Sequence, residues 1–176
     1  KIGLVVEGRA DIIRVCCALD ATPFVVQQAV MASADMLVVH HTPLWTPVTA
    51  LTGRTAGLMR ALLSAQMNLY VMHTNFDRAQ EGVNDALAEL LSLMDIEYLT
   101  SGCIGTCTLS PAEISRRLGG NLRIWGEIKT CSRLAVVAGR GFDPALLDEA
   151  CRRGADAFLS AEIKHSVARS SPLPCI

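Results

Sequence analysis

The sequence has few aromatic residues, no surplus of charge of either sign and no long apolar run. Aromatic residues make up 5% of the 176 residues, and 16 Lys and Arg stand against 17 Asp and Glu, a formal charge of −1. Such a chain lacks the basic field that gathers a phosphodiester backbone, so we expect no nucleic-acid partner. Its apolar runs stay short of the roughly 18–20 residues that a membrane span needs, so we expect no membrane partner.

Nothing in the given sequence resembles a secretory signal or a paired-cysteine framework. The seven cysteines are an odd number, and Cys16 and Cys17 adjoin within an apolar run, which indicates core packing in a reducing compartment. Cys103 and Cys107 have the spacing of half a thiolate metal site, but the ligands that would complete four-coordinate zinc are not nearby. We therefore expect a cytoplasmic protein, with a thiolate site as the minor alternative.

Short apolar runs rich in β-branched residues alternate with amphipathic stretches, a pattern typical of α/β folds. The apolar runs predict strands over Ile12–Leu19, Met36–His40, Leu69–Met72, Ile96–Leu99, Leu134–Ala138 and Ala157–Ser160. The amphipathic stretches predict helices over Pro23–Ala32, Thr55–Ala65, Val83–Leu93, Ala112–Leu118 and Pro144–Arg153. The predicted organisation is a first α/β half (1–95), a connecting segment (96–130) and a second α/β half (131–176).

An internal repeat relates the two halves. A shift of 121 residues superimposes Cys16–His41 on Val137–Glu162 without a gap, and Asp35 then falls on Asp156. Both copies read as a strand, a capped helix, an Ala-Asp pair and a second strand that ends in polar residues. Any two βαβ units share some of this pattern, but agreement over the whole overlay favours duplication. We therefore predict two pseudo-symmetric α/β halves.

Three of the four histidines follow predicted strands. His40 and His41 end one strand, His73 follows the next, and Asp77 comes four residues later. Because the carboxyl ends of parallel strands meet at one edge of a sheet, we expect these side chains to converge there. Imidazole and carboxylate ligands suit zinc, iron or manganese. The alternative is that the histidines are partly buried residues bonded to the backbone, but the second strand end favours a metal site.

The repeat assigns Ala161 and Glu162 to the positions of His40 and His41, so one ligand-type residue remains in the second half. Lys164 and His165 follow on a predicted helix start. Two explanations fit Glu162, Lys164 and His165 equally well: a solvated charged face and a functional site.

The three polar strand ends, with their flanking residues, resemble the NIF-three-like family, whose members are often named GTP cyclohydrolase 1 type 2 homologues. The resemblance is specific because several motifs occur in the right order over nearly the whole chain. The segments that carry it are Gly3–Gly8, Val38–Leu44, Met72–Asp77, Gly82–Ala88 and Gly154–His165.

The resemblance implies two related α/β halves with mixed, largely parallel sheets, a dinuclear metal cleft between them and a homohexamer. Family ligands fall on His40, His41 and Asp77, and His73 lines the same site. The remaining ligands belong to a later His-x3-Glu motif, and Pro174–Ile176 reads as the start of the strand that leads to it. We therefore expect this chain to be shortened, with two divalent ions per subunit in the full-length form.

The first functional hypothesis is a metal-dependent hydrolase of a small nucleotide-like substrate. Two adjacent ions would activate water in such an enzyme, and the candidate catalytic residues are His73, Glu162 and His165. The alternatives are a non-enzymatic metal carrier and a regulatory assembly module. Trp45, in the loop after the histidine pair, is expected to act either as a local packing anchor or as part of a subunit contact.

Overall fold

The computed structural model describes residues 2–128 and 131–176 and divides into two compact units, Lys1–Phe76 and Asp77–Ile176. The described residues form eight strands and seven helices. The predicted first half extended to residue 95, whereas the compact units part at residue 76. The reason is that the helix Val83–Leu90 packs against two strands of the second unit.

The first unit is a four-stranded sheet covered on one face by two helices. Strands β2, β3 and β4 are parallel, and β1 pairs antiparallel with β4, in the spatial order β1-β4-β3-β2. The core lies where the two long helices meet the central strands. The elements are β1 (Gly3–Val6), β2 (Val15–Asp20), α1 (Pro23–Met31), β3 (Met36–His41), α2 (Gly53–Ser64), β4 (Asn68–Val71) and α3 (Thr74–Asp77).

The second unit is a mixed sheet in the order β5-β6-β7-β8, with one parallel pair, β7 and β8. Alternate residues of β6 and β7 enter two separate cores, so both faces of this sheet are covered. The elements are α4 (Val83–Leu90), β5 (Met94–Tyr98), β6 (Cys103–Thr106), α5 (Pro111–Leu118), β7 (Arg133–Val136), α6 (Pro144–Arg152), β8 (Ala157–Leu159) and α7 (His165–Ser170).

The predicted duplication is visible in the backbone. Helix α6 has the bounds of α1 shifted by 121 residues, and the Asp at the shared position plays one role in both units. The Asp35 carboxylate accepts hydrogen bonds from two successive backbone N–H groups at the start of β2. The Asp156 carboxylate accepts the equivalent pair at the start of β7. The fold is therefore the predicted mixed α/β class with repeated halves.

The ungapped overlay is wrong for the first strand of the repeat. Cys16 pairs with Leu37 in the first unit, whereas Ala135 pairs with Phe158, the counterpart of Leu37, in the second. Ala135 lies 119 and not 121 residues after Cys16, so the second unit has two additional residues between its strand and its helix.

Cys175 lies beside β8 in the second unit, at the place that β4 has beside β3 in the first. It is bridged in parallel to Phe158 of β8 and antiparallel to Trp125, as β4 lies between β3 and β1. The backbone N–H of Ile176 donates to the carbonyl of Phe158 at 2.9 Å. The prediction that Pro174–Ile176 reads as the beginning of a strand is consistent with this pairing.

Strand β2 begins at Val15 and not at the predicted Ile12. The backbone N–H groups of Ile13 and Arg14 donate to the Asp35 carboxylate at 3.0 and 2.8 Å, so they are not available to a strand ladder. Strands β1 and β6 and the short helix α3 were not predicted. Among the described residues, no helix is long and apolar enough to cross a membrane.

Helix α4 ends at Leu90, three residues before the predicted Leu93. Ser92 adopts a left-handed conformation with φ of 51°, and the N–H of Leu93 turns back to the carbonyl of Ala88. This turn directs the chain from α4 into β5.

Candidate metal centre

Three imidazoles meet at the carboxyl edge of the first sheet. His40 and His41 are the last residues of β3, and His73 lies two residues beyond the end of the adjacent parallel strand β4. The ring centroids of His40 and His73 are 4.8 Å apart, and those of His40 and His41 are 5.0 Å apart. One ring nitrogen from each residue lies within 4.8 Å of the other two. The group, which we call the histidine cluster, could hold a metal ion.

Asp20 orients one member of the cluster. It ends β2 and stands in register with His41 on β3, and its Oδ1 lies 3.0 Å from His41 Nδ1. A proton on Nδ1 donates to the carboxylate and leaves Nε2 as the ligand atom, the arrangement usual for metal-binding histidines. Asp20 was not among the predicted site residues, because the predicted strand ended at Leu19, one residue short of this register.

His73 is held by the start of α3. Its Nδ1 lies 3.0 Å from Thr74 Oγ1, and its backbone N–H donates to Asn75 Oδ1 at 2.9 Å. Trp45 makes a T-shaped contact with the same imidazole, with ring centroids 5.4 Å apart and planes at 80°. His73 is thus positioned both by its own strand end and by the loop that follows β3.

Asp77, the predicted carboxylate ligand, is half-buried and ends α3 four residues after His73. Its backbone carbonyl accepts a hydrogen bond from Asn84 Nδ2 at 2.6 Å. It begins the second compact unit, whereas the histidine cluster belongs to the first. Its role as a ligand stays a prediction.

Glu162 and His165, the predicted acid–base candidates, are exposed residues of the second unit. Glu162 Oε2 lies 3.3 Å from Arg140 Nε, and the backbone of Glu162 is left-handed with φ of 59°. His165 begins α7 and makes a T-shaped contact with Trp125, with ring centroids 5.6 Å apart. Their catalytic roles stay predictions.

The cysteines of the suspected thiolate site pack into a core. Cys103 and Cys107 are buried on or just after β6, in the core that Cys131 also contacts. Burial raises the pKa of Cys103 to about 11 and that of Cys131 to about 12. The Cys103 and Cys131 thiols are therefore protonated at neutral pH and pack as small apolar side chains.

The donor set of the histidine cluster fits a divalent transition metal. Imidazole nitrogen suits zinc, iron and related ions, and the three histidines are half-buried, so an ion could reach them from solvent. Within the part of the chain that the structure describes, this is the group of side chains whose ligand atoms converge closely enough to hold an ion.

Known proteins similar to this chain point to one family. The family model described as Duf34/NIF3 (NGG1p interacting factor 3) matches residues 1–171. A GTP cyclohydrolase 1 type 2 homolog from Pyrococcus abyssi is 33% identical over 96% of this chain and 72% of its own length. A protein of the same name from Streptomyces coelicolor is 31% identical over 93% of this chain and 65% of its own.

Among solved structures, reduced HcgD from Methanocaldococcus jannaschii superimposes with a TM-score of 0.83 and 29% identity. The superposition covers 99% of this chain and 75% of HcgD. The present chain thus spans about two thirds to three quarters of the length of these relatives.

Proposed function

Because this chain belongs to the Duf34/NIF3 family, we propose that it binds divalent metal ions and acts as a metal-dependent hydrolase on a nucleotide-like substrate. The observation that supports this proposal is the histidine cluster, in which His40, His41 and His73 bring three ring nitrogens within 4.8 Å of one another. Asp77 would add a carboxylate, and two ions of zinc, iron or manganese would form a dinuclear centre.

When bound, such ions lower the pKa of water and polarise the group that water attacks. The protein's own contribution begins with orientation. Asp20 holds His41 through Nδ1, and Thr74 contacts Nδ1 of His73, so both rings are set before an ion arrives. Prior orientation of ligands reduces the entropy lost on binding.

Proton transfer is a second task that the chain's own side chains would perform. We keep His73, Glu162 and His165 as the candidates for this role, which His73 would fill when His40, His41 and Asp77 hold the ions. The Arg140 guanidinium lies 3.3 Å from the Glu162 carboxylate, and both side chains are 66% exposed. Each candidate must lie within hydrogen-bond distance of the substrate atom to which or from which it transfers a proton.

A metal carrier is the second candidate, and the exposure of the cluster favours it. The His41 side chain is 41% exposed and its partner Asp20 is 51% exposed, so a bound ion would exchange readily with solvent chelators. A carrier predicts fast transfer of metal to a chelator without turnover of GTP. An enzyme predicts GTP turnover that depends on the metal.

Metal content tests the site directly. We expect wild-type protein to retain zinc, iron or manganese after gel filtration, as measured by inductively coupled plasma mass spectrometry. His40→Ala, His41→Ala and Asp77→Ala should each lose at least one equivalent, because each removes a predicted ligand. The matched control is His165→Ala, the one substitution of a histidine outside the cluster.

Two results would overturn these assignments. If the His40, His41 and Asp77 variants keep the metal content of wild type, the assigned ligands are wrong. If they lose the metal and still convert GTP at the wild-type rate, followed by chromatography of the products, the hydrolytic mechanism is wrong although the metal site is right.

A further inference from the structure

Trp45 is an exposed aromatic residue that contacts the histidine cluster. Its indole lies 5.4 Å from the His73 ring, which in turn lies 4.8 Å from the His40 ring. These contacts form a short chain of rings that leads from Trp45 into the cluster. An aromatic side chain so close to candidate metal ligands is placed to touch whatever binds there.

The residues before Trp45 determine where its side chain lies. Thr42 is buried directly after β3, and its Oγ1 accepts the backbone N–H of Leu44 at 3.1 Å. Leu44 packs against the core of the first unit. This turn and the Leu44 anchor direct the next residue, Trp45, back over His73 rather than into solvent along the strand axis.

Most of the Trp45 side chain nevertheless remains open. The residue is 61% exposed, because its T-shaped contact with His73 uses only part of the indole surface. Trp is enriched at binding surfaces because its ring combines a large apolar face with an N–H donor. Every nucleobase has a planar face that can stack on an indole.

We propose that Trp45 is the stacking wall of the substrate site, which holds the base of a nucleotide while the polar part of the same molecule reaches the histidine cluster. This inference rests on the proposed function for the presence of a nucleotide-like ligand. To the proposed function it adds a role for Trp45, which would favour a ligand with a planar heteroaromatic ring over a sugar phosphate without a base. Loss of stacking of this kind weakens binding roughly 5- to 150-fold.

The test compares guanosine monophosphate with ribose 5-phosphate, which has the sugar and phosphate but no base. The chain has two tryptophans, so Trp125→Phe protein reports the emission of Trp45 alone. We expect guanosine monophosphate to quench this emission and ribose 5-phosphate to leave it unchanged. Calorimetry should show roughly 5- to 150-fold weaker nucleotide binding in Trp45→Ala, with most of the affinity restored in Trp45→Phe.

The outcomes separate this inference from the metal proposal. Metal content should be the same in wild type and Trp45→Ala. If wild type holds no metal, the metal proposal fails, and quenching by the nucleotide still decides the role of Trp45. If Trp45→Ala binds the nucleotide as wild type does, the inference is wrong. The inference is also wrong if the nucleotide leaves the emission of Trp45 unchanged. If Trp45→Ala then lowers the oligomer mass, Trp45 is a subunit contact.

Discussion

The contact between Asp20 and His41 shows how a single carboxylate can orient a candidate metal ligand. The two residues face each other at the ends of β2 and β3, and their side chains are 3.0 Å apart. Both side chains are about half exposed, so the pair adds little to stability. In the proposed metal site, its value would lie in fixing which ring nitrogen of His41 is left to bind an ion.

We predict that Asp20→Asn weakens zinc binding by about 10-fold and Asp20→Ala by up to about 100-fold. Asn keeps an oxygen that can accept the Nδ1 proton but lacks the charge that makes the ring a stronger ligand. Competition with a coloured chelator measures the dissociation constant. Glu162→Gln, which removes an exposed carboxylate paired with Arg140, is the control and should bind zinc as wild type does. Equal affinity in all four proteins would exclude an orienting role for Asp20.

Some residues at the site could be predicted from the sequence, and others could not. His40, His41 and His73 could be predicted to converge because each stands at the end of an apolar run, and parallel strands end at one edge. Asp20 and Trp45 could not, because their roles depend on strand register and on the path of an irregular loop. Neither of these has a local sequence signature.

The repeated βαβ element is held by one carboxylate in each unit. Asp35 accepts hydrogen bonds from Ile13 and Arg14 and lies 2.9 Å from Arg9 Nη1. Its counterpart Asp156 accepts the backbone N–H groups of Ser132 and Arg133. In both cases the residue before the second strand ties down the start of the first, which explains why an Ala-Asp pair recurs at this place.

The Asp35 contact should make stability depend on pH in acid. Hydrogen bonds from the backbone N–H groups of Arg14 and Ile13, with a smaller contribution from the Arg9 guanidinium, hold the pKa of Asp35 below its ordinary value of 3.8. A lowered carboxyl pKa stabilises the folded state fully above that ordinary value. The stabilisation is lost as the pH falls through the pKa of the folded state.

We therefore predict that Asp35→Asn lowers the urea midpoint at pH 7, and that the difference from wild type narrows as the pH falls below about 4. Circular dichroism during urea titrations at pH 7, 5 and 3 measures these midpoints. A difference that stays constant over this range would show that the charge of Asp35 is not what stabilises the contact.

Across the whole chain, large apolar side chains remain exposed in one copy of the protein. Ile13 is 92% exposed and Leu19 is 62% exposed, both along the edge strand β2 or beside it. Exposed apolar surface of this kind is characteristic of proteins that assemble. The homohexamer that the family resemblance implies stays a prediction.

We predict that native mass spectrometry of the purified chain gives six times the mass of one 18.9 kDa chain. The measurement should be repeated at low protein concentration, because a weak assembly dissociates on dilution. A spectrum with only the single-chain mass at all concentrations would contradict the prediction.

The amino-acid sequence alone determined the class of the fold, the helix starts and the histidine strand ends. The cap residues Thr22, Ser110 and Asp143 each accept a backbone N–H within three residues, so these starts could be predicted locally. The duplication was also visible in the sequence, because α1 lies as many residues before Asp35 as α6 lies before Asp156.

Contacts between distant segments determined the rest. Strand β1 exists because Gly3 pairs with Val71 across the first unit, and the two-residue offset of β7 follows from its register with β8. The same is true of Asp20, which faces His41 only because β2 lies beside β3. Caps and hydrophobic periods act over three or four residues, whereas ladder register is set by side chains that meet only after the chain has folded.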